Sequence, residues 1–172
     1  DAQSLINHKT LRVLDFGCGP GTASLAFLAH LASNKTLPLS IEIDLVDSQT
    51  KVMEIAKNLI QNFGMKNRIN LNVSTHRNLD TLEKSYDIAF AVNVLNELPS
   101  DNNDREVLLQ VWDRVKGVIC LIEPAHRVAS QRLIRFRSRL IEDANKNNIR
   151  LHILAPCTHQ LACPLYRSKH WC

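Results

Sequence analysis

The chain reads as an α/β fold, a doubly wound and mostly parallel sheet. Three observations predict it. Short apolar runs alternate with segments of helical periodicity along the whole 172 residues. The first apolar run closes on a glycine-rich turn, and the second ends on an acid.

Taken in order, Leu11 to Phe16 (LRVLDF) is a short apolar run closed by Gly17, the pattern of a buried parallel strand. From Thr22 to about Ala32, Leu25, Leu28, Ala29 and Ala32 recur at helical spacing. Ile41 to Val46 forms a second strand ending on Asp47. A helix follows, with Val52, Ile55, Ala56, Leu59, Ile60 and Phe63 on one face and Gly64 as its stop. Ile69 to Val73 and Tyr86 to Val92 give the third and fourth strands. Ser100 or Asp101 caps the next helix, lined by Val107, Leu108, Val111, Trp112 and Val115 and ended by Gly117. Val118 to Ile122 is the fifth strand. A long helix runs from about Ala125 to Lys146, and Ile149 to Leu154 reads as a last strand.

Hydrophobic residues make up 45% and charged residues 22%, values of a globular domain large enough for a real core. No apolar stretch approaches the roughly 20 residues of a membrane span, so no membrane association is expected. A net charge of +4 is compatible with an anionic partner such as RNA without demanding one. Five cysteines, without secretory features, point to a reducing compartment and away from a disulfide scaffold. The chain opens on Asp1 and not on methionine, which leads to the expectation of a fragment.

Open α/β sheets bind ligands at the carboxyl ends of their strands. Directly after the first strand comes Asp15-Phe16-Gly17-Cys18-Gly19-Pro20-Gly21. Glycine lets the backbone turn sharply and approach a ligand, and the next helix points its N-terminus at the same place. Asp47 is placed to accept from a ribose diol. The spacing is G-x-G-x-G, with Thr22 where a dinucleotide fingerprint would carry its last glycine. This pattern resembles motif I of class I S-adenosylmethionine-dependent methyltransferases, whose sheet is Rossmann-like. That resemblance implies that Gly17, Cys18, Gly19 and Gly21 cradle the methionine part. It implies also that Asp15 helps hold its ammonium end, that Asp47 holds the ribose and that Asn93 lies near the methionine part and the substrate. Asp15 could equally serve the loop itself.

No methyl acceptor is legible. The D/N-P-P-Y/F/W signature of base-amine methylases is missing at Asn93-Val94-Leu95-Asn96-Glu97. Pro156-Cys157 follows the last strand and not the fourth, which excludes the nucleophile of a cytosine C5 methylase. Glu97 and His126 lie near strand ends and read as surface or capping residues.

The closing segment APCTHQLACPLYRSKHWC sets Cys157, Cys163 and Cys172 among His and Pro. Grouped thiolates suit a soft metal or an iron–sulfur cluster, and the spacing is not that of paired zinc knuckles. His159 or His170 could complete a zinc site; three unconnected thiols is the plain alternative. Together, LDFGCGPGTA, YDIAFAVNVLNEL, IEP and this segment resemble the methyltransferase-like family of mitochondrial small-ribosomal-subunit assembly factors and its bacterial relatives. The resemblance covers nearly the whole chain.

It implies an S-adenosylmethionine-binding domain over 1–155, lacking the last strand of its sheet, with 156–172 as a metal or iron–sulfur tail of the same domain. Cys157, Cys163 and Cys172 would be three of four ligands of a 4Fe–4S cluster in the full-length protein, with zinc as the alternative. The implied partner is the small ribosomal subunit or its rRNA. The compartment is the bacterial cytoplasm or the mitochondrial matrix, and the protein is taken as a monomer. Three functions follow: a methyltransferase acting on the ribosomal subunit, a catalytically inactive iron–sulfur assembly factor, or a small-molecule methyltransferase of the same fold.

The long helix carries a further pattern. Arg132, Arg135 and Arg139 fall on one face, a stripe suited to phosphates or simply to solvent, with Glu142 three residues from Arg139 as a weak pair. Arg137 projects from the apolar side, between Leu133 and Leu140, and is expected to need a carboxylate partner. Aromatic content of 5% makes a single-strand stacking platform a poor fit.

Overall fold

The computed structural model describes residues 10–34, 38–82, 84–98, 103–166 and 168–170, with the backbone alone for 103–108. Its sheet has five strands, β1 (Thr10–Phe16), β2 (Ser40–Val46), β3 (Leu71–His76), β4 (Tyr86–Val92) and β5 (Val115–Ile122). All pair in parallel, in the order β3-β2-β1-β4-β5. Chain order reverses beside β1, so the ends of β1 and β4 form the switch point at which such sheets bind ligands.

By contact the chain divides into two units: Asp1–Val94 with Ser100–Ile122, and Leu95–Pro99 with Glu123–Cys172. The first contains the whole sheet and the helices α1 (Thr22–Ser33), α2 (Thr50–Lys66) and α3 (Asn103–Arg114). Alternation along the strands builds two cores. Leu11, Val13, Ile41, Ile43 and Leu45 pack with Leu28 and Leu31 of α1 and Met53, Ala56 and Ile60 of α2. Leu14 and Val46, facing the other way, pack with Tyr86, Ala89 and Val111 of α3.

Within that second core lies a polar knot. Asp44 of β2 is buried and accepts from the Tyr86 hydroxyl at 2.9 Å, while its other oxygen lies 3.1 Å from His76 Nε2. Lys84 Nζ stands 3.8 Å from the carboxylate.

The second unit is organised by α4 (Arg127–Lys146). His126 occupies its N-cap, where Nδ1 accepts from Ala129 N at 3.3 Å, the capping role expected of it. Asn148, at φ +53, closes the other end, with Ile149 N donating to Ala144 O at 2.8 Å.

Several expectations change. Gly64 does not stop its helix. The stop is Arg68, left-handed at φ +56, with Ile69 N donating to Gly64 O at 2.9 Å. Gly64 lies inside α2 because a Cβ there would meet Leu71 Cδ2 at 2.8 Å, so a strand packs where a side chain would stand. On the same helix Ile55 and Leu59 are exposed, and Met53 is buried in their place. On α1, Ser24 and Leu31 are buried while Ala29 is exposed. Gly117 lies in β5, not at a helix end, because pairing begins at Val115 opposite Tyr86. β3 runs to His76, beyond Val73. Residues 149–154 carry no strand: their alternation finds no ladder partner among the described residues. Ser100 and Asp101 lie outside the described residues, as do the side chains of Val107 and Leu108.

Candidate functional site

The turn after β1 is built by three glycines in the left-handed region, each for its own reason. Gly17, at φ +65, could not carry a Cβ, which would sit 2.4 Å from Val94 Cγ2 in the segment following β4. Gly21, at φ +81, caps α1, and a Cβ there would stand 3.0 Å from Ala56 Cβ and Ile60 Cδ1 on α2. At Gly19, φ +48, a Cβ would meet nothing within 4 Å among the described residues. Two of the three glycines therefore serve packing, and the third leaves its face open.

The turn is fastened to β2 by Gly17 N and Cys18 N, which donate to Val46 O at 2.8 and 3.1 Å. Asp47 completes the junction. One carboxylate oxygen accepts from Gly19 N at 2.9 Å and the other from Gln49 N at 2.8 Å. A carboxylate offers about four acceptor positions, so two remain for a ligand. Asp47 is half-buried, which leaves that capacity reachable.

Asp15 is placed differently. It is buried at the end of β1, where one oxygen accepts from Ser24 N at 3.2 Å and from Ser24 Oγ at 2.5 Å. Gly21 has no side chain to satisfy the first turn of α1, and Asp15 does that work from the strand. Burial pushes its carboxyl up to about 6; the two Ser24 bonds oppose this and the Asp47 charge adds to it. The buried Cys18 thiol is pushed up to about 12 by burial, with Asp15 and Asp47 adding to it. It is therefore neutral at physiological pH and no nucleophile.

Asn93 follows β4 with φ +61, a conformation Asn tolerates better than most residues, and donates its N–H to Ile122 O at 2.8 Å. Its side chain is exposed, next in sequence to the Val94 that closes on Gly17. Asp15, Cys18, the three glycines, Asp47 and Asn93 thus all belong to the first unit, at the carboxyl ends of β1, β2 and β4. Sequence reading missed Ser24, whose signal was a hydroxyl in the first turn of a helix lacking a capping side chain.

In the second unit Cys157 and Cys163 are half-buried, while Cys172 lies outside the described residues. Among the described residues no three His, Cys, Asp or Glu side chains gather to hold a metal ion, so those present do not by themselves form a metal site. The segment between the two thiols is anchored by Arg137. Its Nη1 donates to Leu161 O at 3.1 Å and its Nη2 to His159 O. The expected carboxylate partner is replaced by two main-chain carbonyls. Arg132 leaves the predicted stripe as well, since it donates to Leu95 O and, at 3.3 Å, to Leu98 O. Leu95 N in turn donates to Glu123 Oε1 at 2.8 Å.

The sheet order and the glycine turn with its acid define a class I methyltransferase fold. A Listeria monocytogenes structure described as a class I S-adenosylmethionine-dependent methyltransferase superposes with a TM-score of 0.54 at 13% identity, covering 83% of this chain and 48% of that one. The chain belongs to the family described as mitochondrial small ribosomal subunit Rsm22, whose profile matches residues 2–172. Among curated relatives, it is 25% identical over 168 residues to Rsm22-cox11 tandem protein 2, mitochondrial, of Schizosaccharomyces pombe, covering 93% of this chain and 22% of that protein. It is 24% identical over 157 residues to the human ribosome assembly protein METTL17, mitochondrial, covering 88% of this chain and 33% of that protein. The chain thus spans between about a fifth and a third of the length of these relatives.

Proposed function

We propose that this chain is the S-adenosylmethionine-binding part of a protein that acts on or with the small ribosomal subunit. The observation that carries the cofactor reading is Gly19. Among the described residues its left-handed backbone faces open space, while a Cβ at either neighbouring glycine would meet packed side chains. A backbone so exposed, at a switch point and at the start of a helix, suits close approach by a ligand. The cofactor would supply an electrophilic methyl group on sulfonium sulfur. The chain's own residues would bind and orient it: the glycine turn beneath the methionine part, Asp47 with its two remaining acceptor positions toward the ribose diol, and Asn93 beside the methionine part and the acceptor. Asp15, already engaged by Ser24, would act on the ammonium end through its negative charge.

The ribosomal part of the reading is supported by membership of the family and by the naming of the human relative as a ribosome assembly protein. The mitochondrial naming of both relatives supports the matrix, with the bacterial cytoplasm as the other setting. No described helix is long and apolar enough to cross a membrane. We place the functional division at residue 155, the cofactor-binding part before it and the cysteine segment after it, and take the protein as a monomer. For the cysteines, our reading is that Cys157, Cys163 and Cys172 hold a 4Fe–4S cluster together with a ligand outside this sequence, or zinc with a histidine.

Calorimetric titration with S-adenosylmethionine tests the first part. Heat of binding at one site is expected, and its absence overturns the cofactor reading. Transfer of labelled methyl to small subunits then separates an enzyme from an assembly factor that keeps the pocket. Iron with acid-labile sulfide in anaerobically purified full-length protein, lost on Cys163→Ser, is the outcome expected for the cluster. Zinc would favour the structural alternative, and the absence of any metal would overturn both.

A further inference from the structure

Positive charge is unevenly divided between the two units. The second carries nine Lys and Arg against four Asp and Glu, the first twelve against thirteen. Of the five arginines on α4, Arg132 and Arg137 are spent on carbonyl oxygens within their unit. Arg135 and Arg139 are exposed. Lys146 lies seven residues beyond Arg139, on the same face at 100° per residue, and is exposed too. None of these three takes part in an ion pair among the described residues. Two acids, Glu142 and Asp143, lie three and four residues beyond Arg139, but neither forms an ion pair with it among the described residues, so the spacing that allowed a pair is not used.

We propose that this face of α4, through Arg135, Arg139 and Lys146, is the surface by which the chain holds the phosphate backbone of a structured RNA; the proposal rests on the ribosomal reading. At 1.5 Å per residue the three charges span roughly 16 Å, with the arginines about 6 Å apart, so a row of phosphates along one strand can be met without bending the helix. The chemistry is that of positioning contacts. Arginine forks hold phosphate oxygens, and the stripe carries no aromatic side chain on which bases would stack. With aromatics at 5% of the chain, a helical RNA fits better than an unpaired strand. Counterion release would then dominate affinity.

The test is fluorescence anisotropy of a labelled small-subunit rRNA helix with the whole protein across a salt series. Wild type should bind with steep salt dependence. In Arg135→Ala/Arg139→Ala the slope of log affinity against log salt should fall by about two, one for each phosphate that no longer has an arginine. The loss of affinity at low salt should be tenfold or more. Arg135→Lys/Arg139→Lys should keep the slope, since a point charge still displaces a counterion. Lys51→Ala/Lys116→Ala, exposed charges of the first unit, should leave it unchanged.

A wild type that binds RNA while the double alanine variant keeps its slope overturns this surface alone and leaves the ribosomal reading standing. A wild type that binds no RNA overturns both. Binding to phosphatidylserine vesicles through the same arginines, with none to RNA, assigns the face to a membrane and overturns the proposal.

Discussion

Asp15 at the end of β1 and Ser24 in the first turn of α1 are joined twice through a single carboxylate oxygen, by the serine N–H at 3.2 Å and its hydroxyl at 2.5 Å. The pair clamps the two ends of the glycine turn, so the turn's shape is set from both sides before any ligand arrives. It also carries a cost. Burial outweighs the two hydrogen bonds, and the carboxyl stands at about 6 against an ordinary 3.8.

A folded-state value raised above the unfolded one means that the native protein keeps this proton after the unfolded chain has lost it. The group's contribution is thus most favourable below about pH 4 and is lost as pH rises through 6. Two pH units of difference amount to about 3 kcal/mol. Asp15→Asn retains an acceptor for Ser24 and cannot ionise. Its stability relative to wild type, from urea unfolding between pH 4 and 7, should improve by up to about 3 kcal/mol as pH rises. A difference independent of pH would show that Asp15 does not titrate in this range.

Gly17 and Gly19 should respond differently to alanine. At Gly17 the new Cβ meets Val94 at 2.4 Å in a left-handed backbone. Strain of about 1–2 kcal/mol adds there to an overpacking cost of about 1–3 kcal/mol. Gly19→Ala meets nothing among the described residues and should cost only the strain, yet on the proposed reading it fills space that the cofactor would occupy. We expect unfolding curves to show the larger loss at Gly17, and calorimetry to show a folded Gly19→Ala that no longer binds S-adenosylmethionine. Unchanged affinity in Gly19→Ala would remove the turn from the binding site.

Asp47→Ala tests the acid fastened to the same turn. If Asp47 accepts from the ribose diol as proposed, its removal should cost about 1–3 kcal/mol of S-adenosylmethionine binding, from several-fold to above a hundredfold in affinity. Asp47 also holds Gly19 N and Gln49 N. The adenosine fragment alone should therefore lose affinity along with the whole cofactor. Loss confined to the methionine end would mean that the residue acts only through the turn.

Much of this arrangement was legible in the sequence because it depends on short-range pattern. Apolar runs ending on Gly17 and Asp47 located β1, β2 and their carboxyl ends, and the parallel sheet followed from alternation; the strand order, and with it the switch point, came from the structure. The failures share a cause: tertiary neighbours decided what local signals left open. Gly64 looked like a helix stop, but Leu71 packs against it and the helix continues. Ile149–Leu154 has a strand's alternation without a neighbouring strand among the described residues. Arg137 promised a carboxylate, yet main-chain carbonyls twenty-two and twenty-four residues away serve it, and carbonyls leave no trace in composition.

Tyr86→Phe tests the polar knot beneath β2. The hydroxyl donates to Asp44 at 2.9 Å within a buried cluster, and the phenol's own ionisation is pushed upward by burial and by that carboxylate. Phenylalanine keeps the packing and leaves a carboxylate oxygen short of its donor, with the Lys84 ammonium 3.8 Å away. The loss should be about 1–3 kcal/mol in denaturant unfolding. A neutral result would mean that lysine or solvent takes over the lost bond.

Arg137 ties α4 to the segment between Cys157 and Cys163, and its removal should be felt by both thiols. Arg137→Met keeps the apolar stem and deletes both charged donors to the carbonyls of His159 and Leu161. Charge-assisted bonds of this kind are worth about 1.5–3 kcal/mol each when partly sheltered, so the segment should open locally well before the protein unfolds. Hydrogen exchange over residues 157–163 should accelerate while the strands stay protected, and Cys157 and Cys163, now half-buried, should alkylate faster. Arg137→Lys carries the same charge but cannot fork to two carbonyls, and should resemble Met more than wild type. Exchange and alkylation unchanged in both variants would show that the segment is held by its own packing and not by the arginine.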